Sequence, residues 1–588
     1  MPAIIKKRLR IQNAKDFLSN LDGHPRTSAV ASSIALAGAT EAERLADLKS
    51  RIGSHVIDRN LYMFIGRPRP WPTDLSAGTN ELSPPLPLDT VEKEFRAWDG
   101  MLGLKKITSS FASLVVPRFN WDASGSTIYK AFDDKDADLF NHPTTAEIAA
   151  GNLGGYTAGS VYVMTDEYHI FKCLSNNLSA KSTIKPLKPL SAPFTFQGAD
   201  GYLWKYLSTV TPGQVVKFLT DRWIPVNTLE SDDGSTQWVV QQAATDGSID
   251  SFAVDNRGSG YTNVHSGTLQ SATSTSGVLA ATLGSPTLSA SDSDSVYDGA
   301  QIHIISGAGA GQIREISNYV GETKRFDVDS SWSANTTSVY EVTPKLVISG
   351  NGTGAVAKAV VEYAAGANQF KIKSIVLINA GTGYRFASVA ITGAGGTGGS
   401  VRAVLGAPGG HGSDIVQELG AGFVMLNVRL QYEEGAGDFP ASNDYRQIGV
   451  IRDLQNNDTT LATSATRIAT KVLSLTGVTA GGVGDFTPDE DVLGTLGSII
   501  AIGQAVGFTS TGIGTGTVSF IQDEITGYTN FLENMTLVGL TSGATASVSS
   551  VISEEIKKFE GEILYIENRR PVLRAPDQVE DIKCVIEW

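Results

Sequence analysis

Alternation of apolar and polar residues with a period of two is the dominant pattern of this sequence, and it predicts β-strands. The clearest run is 582–588, IKCVIEW, in which Ile, Cys, Ile and Trp occupy every second position. This period puts the apolar side chains on one face of an extended strand. Because the run closes on Trp588, we expect this segment to be tied into a sheet whose other strands come earlier in the chain.

A neighbouring strand is predicted just upstream, at 563–566, where the sequence reads ILYI. We expect it to be interrupted at 568–571, NRRP, because proline fixes φ and cannot donate a hydrogen bond to a ladder.

Apolar, β-branched and aromatic runs predict further strands. They lie at 3–11, 60–71, 115–121, 168–174, 200–207 and 223–226, the last at a sheet edge because of Pro225. Helical spacing is found at 12–21 and at 41–52, and a glycine within two residues ends each pattern. The sequence therefore predicts a mainly β fold with a few short helices.

The middle of the chain contains an internal repeat. Residues 249–261 and 372–384 share Ile-x-Ser, an apolar strand and Asn-x-Gly-[Ser/Thr]-Gly-Tyr. The glycines predict tight turns and the tyrosine predicts a return strand. Residues 350–361 and 393–405 are interpreted as hairpins that close these units.

Two other regions are predicted to be separate β modules. Residues 297–342 lie between the repeats and contain several short apolar runs. Residues 456–553 are rich in Gly, Thr and Ser, and stretches of these residues alternate with short apolar runs that are predicted to be strands.

Charge and cysteine content narrow the functional classes. The chain of 588 residues has a formal net charge of -14, which disfavours nucleic acid as its main partner. Its one basic cluster, at 6–10, is interpreted as the solvent face of the first strand. Only Cys173 and Cys584 are present, so we expect no disulfide framework and assembly in a reducing cytoplasm. No apolar run is long enough to predict insertion into a membrane.

No motif in the sequence predicts catalysis, a metal site or a cofactor site. The histidines have no metal-ligand spacing, and the Gly-rich runs are not followed by Lys-Ser/Thr as in a phosphate-binding loop. A glycosidase carboxylate pair stays open, because such a pair forms in space rather than in sequence. The alternating Tyr202, Trp204 and Tyr206 could form a core face or a platform for sugar stacking, and we predict the core face.

Five short blocks, spread in order along the chain, resemble those of the baseplate wedge subunit of T-even-like contractile-tailed bacteriophages, the product of their eighth baseplate gene. The last block lies in GEILYIENRRP, which is followed by DQVEDI. The matching residues are Gly66, Arg67, Pro70 and Trp71; Pro117, Arg118 and Trp121; Asp200, Gly201, Tyr202, Trp204 and Tyr206; Arg446, Gln447 and Ile448; and Glu567, Asn568, Arg569 and Pro571. Two roles are considered for Arg67, Arg118 and Arg569. Each could form hydrogen bonds that fix a loop, or could contact another subunit.

The resemblance implies a discontinuous β-sandwich-like core with inserted β domains and a few short helices. The predicted segments are an N-terminal strand and helix arm at 1–54, core parts at 55–240, 413–455 and 554–588, and inserted β domains at 241–412 and 456–553. The regions at about 23–54, 241–412 and 455–553 have no counterpart in the shorter family members, so the resemblance implies nothing about their roles.

In function, the resemblance implies a structural subunit of the tail baseplate, without enzymatic activity or a cofactor. It would bind other wedge subunits and a second copy of itself as a homodimer, and would transmit the rearrangement that triggers sheath contraction. It would bind no nucleic acid, insert into no membrane, and be located in the virion after assembly in the host cytoplasm. The alternative is a host-recognition module, a glycan-binding tail fibre or adhesin. An enzyme that degrades cell wall or glycan has no supporting motif.

Overall fold

The computed structural model describes residues 7–21, 60–73, 78, 80–135, 160–261, 266–279, 290–364, 369–432, 444–574 and 578–587. The predicted helix at 41–52 lies outside these residues. Strands predominate and form several antiparallel sheets, which confirms the predicted mainly β fold. Over the ranges given, no helix combines the length and apolar character needed to cross a membrane.

Helices in the described ranges are short. They are α1 Lys7–Leu21, α2 Val91–Asp99, α3 Pro212–Phe218, α4 Thr236–Gln242 and α5 Ile415–Glu418, with a 3₁₀ turn at Ser109–Phe111. The strand predicted at 3–11 is wrong from Lys7 onward, where α1 begins. Ile11, Ala14 and Phe17 are buried at a spacing of three, so the helical stripe of the next segment extends backwards through this one.

The chain forms two compact units. The first comprises Met1–Ile11 and Val115–Gly422, and the second comprises Gln12–Leu114 and Phe423–Trp588. The segment 241–412 therefore falls in the first unit and 456–553 in the second. Whether these two segments are separable domains stays a prediction.

The first unit starts with a four-stranded antiparallel sheet in the order β4-β5-β7-β6. Its strands are β4 Tyr162–Met164, β5 His169–Asn176, β6 Thr195–Gln197 and β7 Tyr202–Thr209. Separately, β3 (Ala112–Pro117) pairs with β8 (Trp223–Pro225), with Val115 opposite Pro225. Strand β8 lies at a sheet edge, as its proline predicts.

A seven-stranded sheet forms the module predicted between the repeats. The order is β10-β16-β13-β14-β15-β12-β11. Its strands are β10 Ser266–Thr268, β11 Ser271–Ala272, β12 Ser276–Val278, β13 Gln301–Ser306, β14 Ile313–Val320, β15 Arg325–Val328 and β16 Val339–Thr343. Buried tyrosines fill its core, and Tyr297 and Tyr319 meet edge to face with ring centroids 4.7 Å apart.

The internal repeat is confirmed as two equivalent strand pairs. Strand β9 (Ile249–Ser259) pairs with β21 (Thr397–Leu405), and β19 (Gln369–Thr382) pairs with β18 (Thr353–Ala364). The nearby strands β17 (Lys345–Gly350) and β20 (Ala387–Thr392) pair with each other. The hairpins predicted at 350–361 and 393–405 are wrong. Each segment contributes a single strand, which pairs with one of the long repeat strands.

Tyrosine and glycine explain why the repeat motif recurs. A Cβ built on Gly396 would lie 2.0 Å from the ring of Tyr261, and one on Gly352 would lie 2.4 Å from the ring of Tyr384. Both tyrosines are buried. The glycine in each partner segment therefore leaves the space that the repeat tyrosine fills.

The second unit contains a five-stranded sheet in the order β24-β2-β1-β23-β31. Its strands are β1 Leu61–Gly66, β2 Met101–Lys106, β23 Tyr445–Arg452, β24 Thr466–Ile468 and β31 Glu562–Val572. The final strand β32 (Gln578–Glu587) pairs along its whole length with β22 (Phe423–Tyr432), and Cys584 lies opposite Leu426. The prediction that the last strand pairs with an earlier one is confirmed.

The break predicted at 568–571 is wrong, because β31 runs through Pro571. The strand is at the edge of its sheet, so one of its sides needs no ladder partner. The register also shifts between the pairs Gln447–Asn568 and Tyr445–Val572, which leaves Pro571 in an irregular stretch. Proline is tolerated in both situations.

A closed six-stranded barrel forms the later inserted region. Its strands follow the order β25-β28-β27-β26-β29-β30. They are β25 Lys471–Thr479, β26 Asp491–Leu496, β27 Ile499–Gly512, β28 Thr515–Ile521, β29 Thr536–Gly539 and β30 Thr545–Ile552. Closure leaves no free strand edge, and the interior is filled by buried aliphatic and phenylalanine side chains.

Candidate functional site

The family-motif residues come together in two clusters, one inside each compact unit. The blocks at 66–71, 446–448 and 567–571 meet in the second unit, and we call this the arginine–tryptophan cluster. The blocks at 117–121 and 200–206 meet in the first unit, and we call this the aromatic cluster.

Arg67 and Trp71 form the centre of the arginine–tryptophan cluster. Strand β1 ends at Gly66, and Arg67 then takes a left-handed φ of 57° as the chain enters a proline-rich loop. The guanidinium carbon of Arg67 lies 3.9 Å from the centroid of the Trp71 ring. The Trp71 indole Nε1 donates to the carbonyl of Arg569 at 2.9 Å. One stacked pair thus joins the loop after β1 to the edge strand β31.

Arg446 ties the same loop to strand β23. Its side chain is buried, and its Nε donates to Glu81 Oε2 at 2.7 Å while another guanidinium nitrogen donates to the carbonyl of Pro68. It also pairs with Asp444 at 2.9 Å. Burial is the main reason that the pKa of Arg67 falls to about 10, and the nearby charge of Arg446 lowers it further.

Gln447, Asn568 and Arg569 complete this cluster. Gln447 Nε2 donates to Asn568 Oδ1 at 2.8 Å across the β23–β31 ladder, and Asn568 Nδ2 donates to the carbonyl of Pro85 at 2.9 Å. Arg569 Nε donates to Glu567 at 2.8 Å, and its NH2 group donates to the carbonyl of Lys583 at 3.2 Å. These side chains join strands and loops of one unit.

The aromatic cluster is built around strand β7. Trp204 and Tyr206 are at most 1% exposed, which confirms the predicted core face and rules out a sugar platform on this face. Tyr202 stacks on Trp204 with ring centroids 5.5 Å apart, and Tyr129 meets Trp204 edge to face at 5.4 Å. Burial raises the pKa of Tyr202 to about 12, so its hydroxyl stays protonated.

Loop-fixing hydrogen bonds surround this core. Asp200 Oδ2 accepts from the backbone nitrogens of residues 183 and 184, at 2.8 and 3.0 Å. Gly201 has a φ of 82°, and a Cβ there would lie 2.5 Å from the Asn177 side chain. Trp121 Nε1 donates to Ser182 Oγ at 3.2 Å. The motif therefore specifies a tight turn that leads into β7.

Pro117 and Arg118 secure the start of the same region. The Tyr162 hydroxyl donates to the carbonyl of Pro117 at 2.7 Å. Arg118 donates from NH1 to the carbonyl of Thr220 at 2.8 Å and from Nε to Asn120 at 2.9 Å. Arg118 therefore makes bonds that fix its own loop, as Arg67 does through the carbonyl of Pro70 at 3.3 Å, whereas Arg569 joins two strands. Contact of these arginines with another subunit stays a prediction.

A third cluster, which we call the buried ionic cluster, was not predicted. Lys172 Nζ donates to Glu418 Oε1 at 2.7 Å, and both side chains are 1% exposed. His411 Nδ1 also contacts Glu418 Oε1 and lies 3.3 Å from Asp250 Oδ2. Lys205 lies directly opposite Lys172 in the β5–β7 register. The sequence signal was a lysine within each of two otherwise apolar strands, HIFKCL and YLWKYL.

Electrostatics keep Glu418 ionised inside the protein. Burial alone would raise the pKa of Glu418, but the charges of His411 and Lys172 and the hydrogen bonds they donate lower it well below its usual range. The backbone nitrogen of Gly412 also donates to Glu418 Oε2 at 2.7 Å. Across the described ranges, no group of three or more His, Cys, Asp or Glu side chains is placed to hold a metal ion.

Comparison with known proteins bears on the origin of the motif blocks. Residues 36–158 match the family described as Bacteriophage T4, Gp8. Over 212 residues, the chain is 27% identical to the baseplate wedge protein gp8 of Enterobacteria phage T4. The chain is a distant homologue of T4 gp8.

The similarity to gp8 is partial on both sides. It covers 33% of this chain and 61% of the T4 protein. The Gp8 family match at 36–158 contains the motif blocks that begin at Gly66 and Pro117, and the other three blocks lie beyond it. In this gp8 homologue, both matched blocks supply contacts inside a unit.

Proposed function

We propose that this chain is a structural subunit of the baseplate wedge in the virion of a contractile-tailed phage. It binds neighbouring wedge subunits and transmits the rearrangement that triggers sheath contraction. Homology to a baseplate wedge protein supports this role. The way in which the motif residues hold a surface segment supports it further.

That segment, residues 82–95, carries a run of exposed apolar side chains and is the observation on which the proposal rests. The exposed members are Leu82, Leu86, Leu88, Val91 and Phe95, of which Leu86 is 86% exposed. Isolated exposed leucines are ordinary, but five large exposed apolar side chains within 14 residues are typical of a protein contact surface.

The arginine–tryptophan cluster fixes the first part of this apolar run. Glu81, just before it, accepts from Arg446 and from the backbone nitrogen of Trp71. The carbonyl of Pro85, inside it, accepts from Asn568 at 2.9 Å. A segment held in this way loses little conformational entropy when a neighbour covers it, so the motif pre-organises a binding surface.

Co-purification with the other wedge proteins of the same phage tests this function. The wild-type chain should form a stable complex on co-expression, and Leu86→Glu should weaken it about tenfold or more, because a charge would be buried at the interface. Leu190→Glu is the matched control, since Leu190 is 100% exposed and lies in the other unit. Unchanged binding of Leu86→Glu, or equal loss in both variants, would contradict the proposed surface.

We also propose that a second copy of the chain binds within the wedge. Sedimentation velocity of the isolated protein should show a dimer that dissociates on dilution. A single monomeric species at every concentration would contradict this part of the proposal and leave the wedge contacts unaffected.

The same purified protein separates the structural role from its alternatives. A host-recognition module would retain envelope glycan on a glycan array, and an enzyme would release product from that glycan. We expect no product to be released, and we expect the melting temperature to be unchanged by a chelator. Product release would overturn the non-enzymatic assignment.

A further inference from the structure

A cleft in the first unit ends at the buried ionic cluster. Its volume is about 1160 Å³, above the usual range for small-ligand pockets, and it lies between the sheet of β5 and β7 and the repeat strands β9 and β19. Exposed residues such as Leu178 and Lys373 line its outer part. Phe132, Asp250 and His411 line its inner part, where their side chains are largely buried.

Two buried polar atoms on the lining residues have no hydrogen-bond partner within the described part of the chain. They are His411 Nε2 and Ser251 Oγ. A third buried atom, Asp250 Oδ2, contacts His411 Nδ1 at 3.3 Å. The side chain of His411 is 4% exposed and that of Asp250 is 7% exposed, while Ser251 as a whole is 5% exposed. Buried polar groups are almost always paired, so such a group beside a cleft indicates that something in the cleft pairs with it.

The geometry of His411 leaves one side of the ring for an occupant. Its Nδ1 faces two carboxylates, with Glu418 as the closer, so Nδ1 carries a proton that it donates to Glu418. Asp250 Oδ2, at 3.3 Å from the same nitrogen, therefore keeps acceptor capacity. Nε2 is then fixed in orientation by the Glu418 contact and is available to a ligand.

The charges exclude strongly ionic ligands. Lys172 and Lys205 offset Glu418 and Asp250 one for one. At the outer part, Lys373 pairs with Glu362 at 3.6 Å. A free anion would meet two carboxylates and a free cation would meet two ammonium groups, so neither is favoured.

The remaining lining combines short polar side chains with aromatic rings. Hydroxyl and amide groups come from residues such as Ser248, Thr195 and Gln197, and rings come from Phe194 and Phe252. Polar donors and acceptors that orient a ligand, beside apolar rings that cover its faces, are typical of a site for a neutral polar molecule.

We propose that this cleft binds a neutral, polyhydroxylated ligand, a mono- or oligosaccharide, whose hydroxyl groups pair with His411 Nε2, Asp250 Oδ2 and Ser251 Oγ. The site is separate from the aromatic cluster, whose rings are buried. It is also separate from the apolar run at 82–95 in the other unit. The proposal does not depend on the wedge assembly, so either can fail alone.

Saturation-transfer NMR on the full-length protein tests the proposal with glucose, galactose, N-acetylglucosamine and maltose as probes. At least one should bind saturably, and acetate and inorganic phosphate should not. Ser251→Ala should weaken the binding about three- to tenfold, the usual effect of losing one hydrogen bond to a ligand. Because the Ser251 hydroxyl is unpaired in the free protein, its removal should leave folding unchanged.

Thr470→Val is the matched control, since Thr470 Oγ1 is another buried and unpaired hydroxyl that lies in the other unit. Its sugar binding should equal that of the wild type. Lys205→Met gives a second test that leaves the Lys172–Glu418 pair intact, and it should make the cleft net negative and weaken binding of the sugar. Absence of saturable binding by all four sugars would overturn the proposal, as would equal affinity in all three variants. Binding of acetate or phosphate without any sugar would also overturn it.

Discussion

Replacing Lys172 with Met should destabilise the first unit by about 3–5 kcal/mol, the usual cost of removing one partner of a buried ion pair. The pair is short, at 2.7 Å, and both side chains are 1% exposed. Methionine fills a similar volume beside the Phe132 ring, over which the ammonium now lies at 3.3 Å. The cost is therefore the stranded charge of Glu418 rather than a cavity.

The structure also indicates that the loss of stability in Lys172→Met should lie at the lower end of this range. Glu418 keeps two donors after the substitution, His411 Nδ1 and the backbone nitrogen of Gly412. These contacts preserve part of its stabilisation, so we expect a value near the lower end, about 3 kcal/mol.

Lys185→Met is the matched control for this prediction. Lys185 also pairs with two carboxylates, Asp166 at 2.9 Å and Glu167, but it lies at the surface with its side chain 30% exposed. Solvent screens such pairs, so its loss should change stability little. Thermal melts of both variants provide the comparison, and hydrogen exchange of peptides that cover 411–418 locates the effect.

Acid should remove the same stabilisation. Because the folded-state pKa of Glu418 lies below its unfolded value of about 4.3, this group stabilises the fold above that pH and less as pH falls through the folded pKa. The wild type should therefore lose more stability than Lys172→Met below about pH 5. Equal melting temperatures for Lys172→Met and Lys185→Met, with unchanged exchange at 411–418, would refute this account of the cluster.

Three further predictions concern the thiols, the final strands and the middle insertion. Cys173 and Cys584 are buried and should both react with a thiol reagent only after unfolding, and a disulfide between them would contradict this. Burial raises the pKa of Cys584 to about 12, so the stability of the fold should decrease as pH rises above the unfolded thiol pKa of about 8.5. Truncation before Gly561 should prevent folding, because it removes β31 and β32 from two ladders, and a soluble truncated chain with a cooperative melt would show otherwise. The two ends of the middle segment lie close together, because a Cβ on Gly412 would lie 2.5 Å from the Val240 side chain. Joining Gln241 to Ser413 through a short Gly/Ser linker should therefore give a soluble protein, and aggregation would show that 241–412 belongs to the core.

Period-two patterns were the reliable part of the sequence. The alternation at 582–588 predicted a paired strand, and β32 pairs residue by residue with β22. The repeat motif predicted two equivalent units, since a glycine position that leaves room for a buried tyrosine is visible as a fixed spacing. These features are local, so a single sequence contains the information needed to predict them.

Partner choice was the part that local patterns could not supply. Residues 350–361 looked like a closed hairpin, yet β18 pairs with β19 while β17 pairs with β20. Pro571 looked like a break, yet its strand is at an edge where the missing donor costs little. Both errors come from tertiary context, which decides whether a strand has one partner or two.

The buried ionic cluster shows the same limit for candidate sites. Lys172 and Glu418 are 246 residues apart, and each by itself resembles an ordinary surface residue. Only the apolar neighbours of Lys172 indicated that its charge would be buried and would need a partner. The identity of that partner depended on helix α5 returning to the sheet after many intervening elements, which no spacing rule encodes.

The inward direction of the motif side chains explains how distant homology and new contacts can coexist in one chain. The hydrogen bonds donated by Trp71, Arg446 and Asn568 go to backbone carbonyls and to Glu81. Replacing any of these residues would therefore disturb the fold of this unit, whatever the partner protein is. Under the proposed function, the run at 82–95 that they hold needs only to remain apolar and exposed, and its individual residues can change with the neighbour. Similarity to gp8 should therefore persist in the supporting residues and fade at the contact surface, which fits an identity of only 27% over the aligned part. Swapping residues 82–95 between this protein and a relative should accordingly transfer partner preference while leaving stability nearly unchanged.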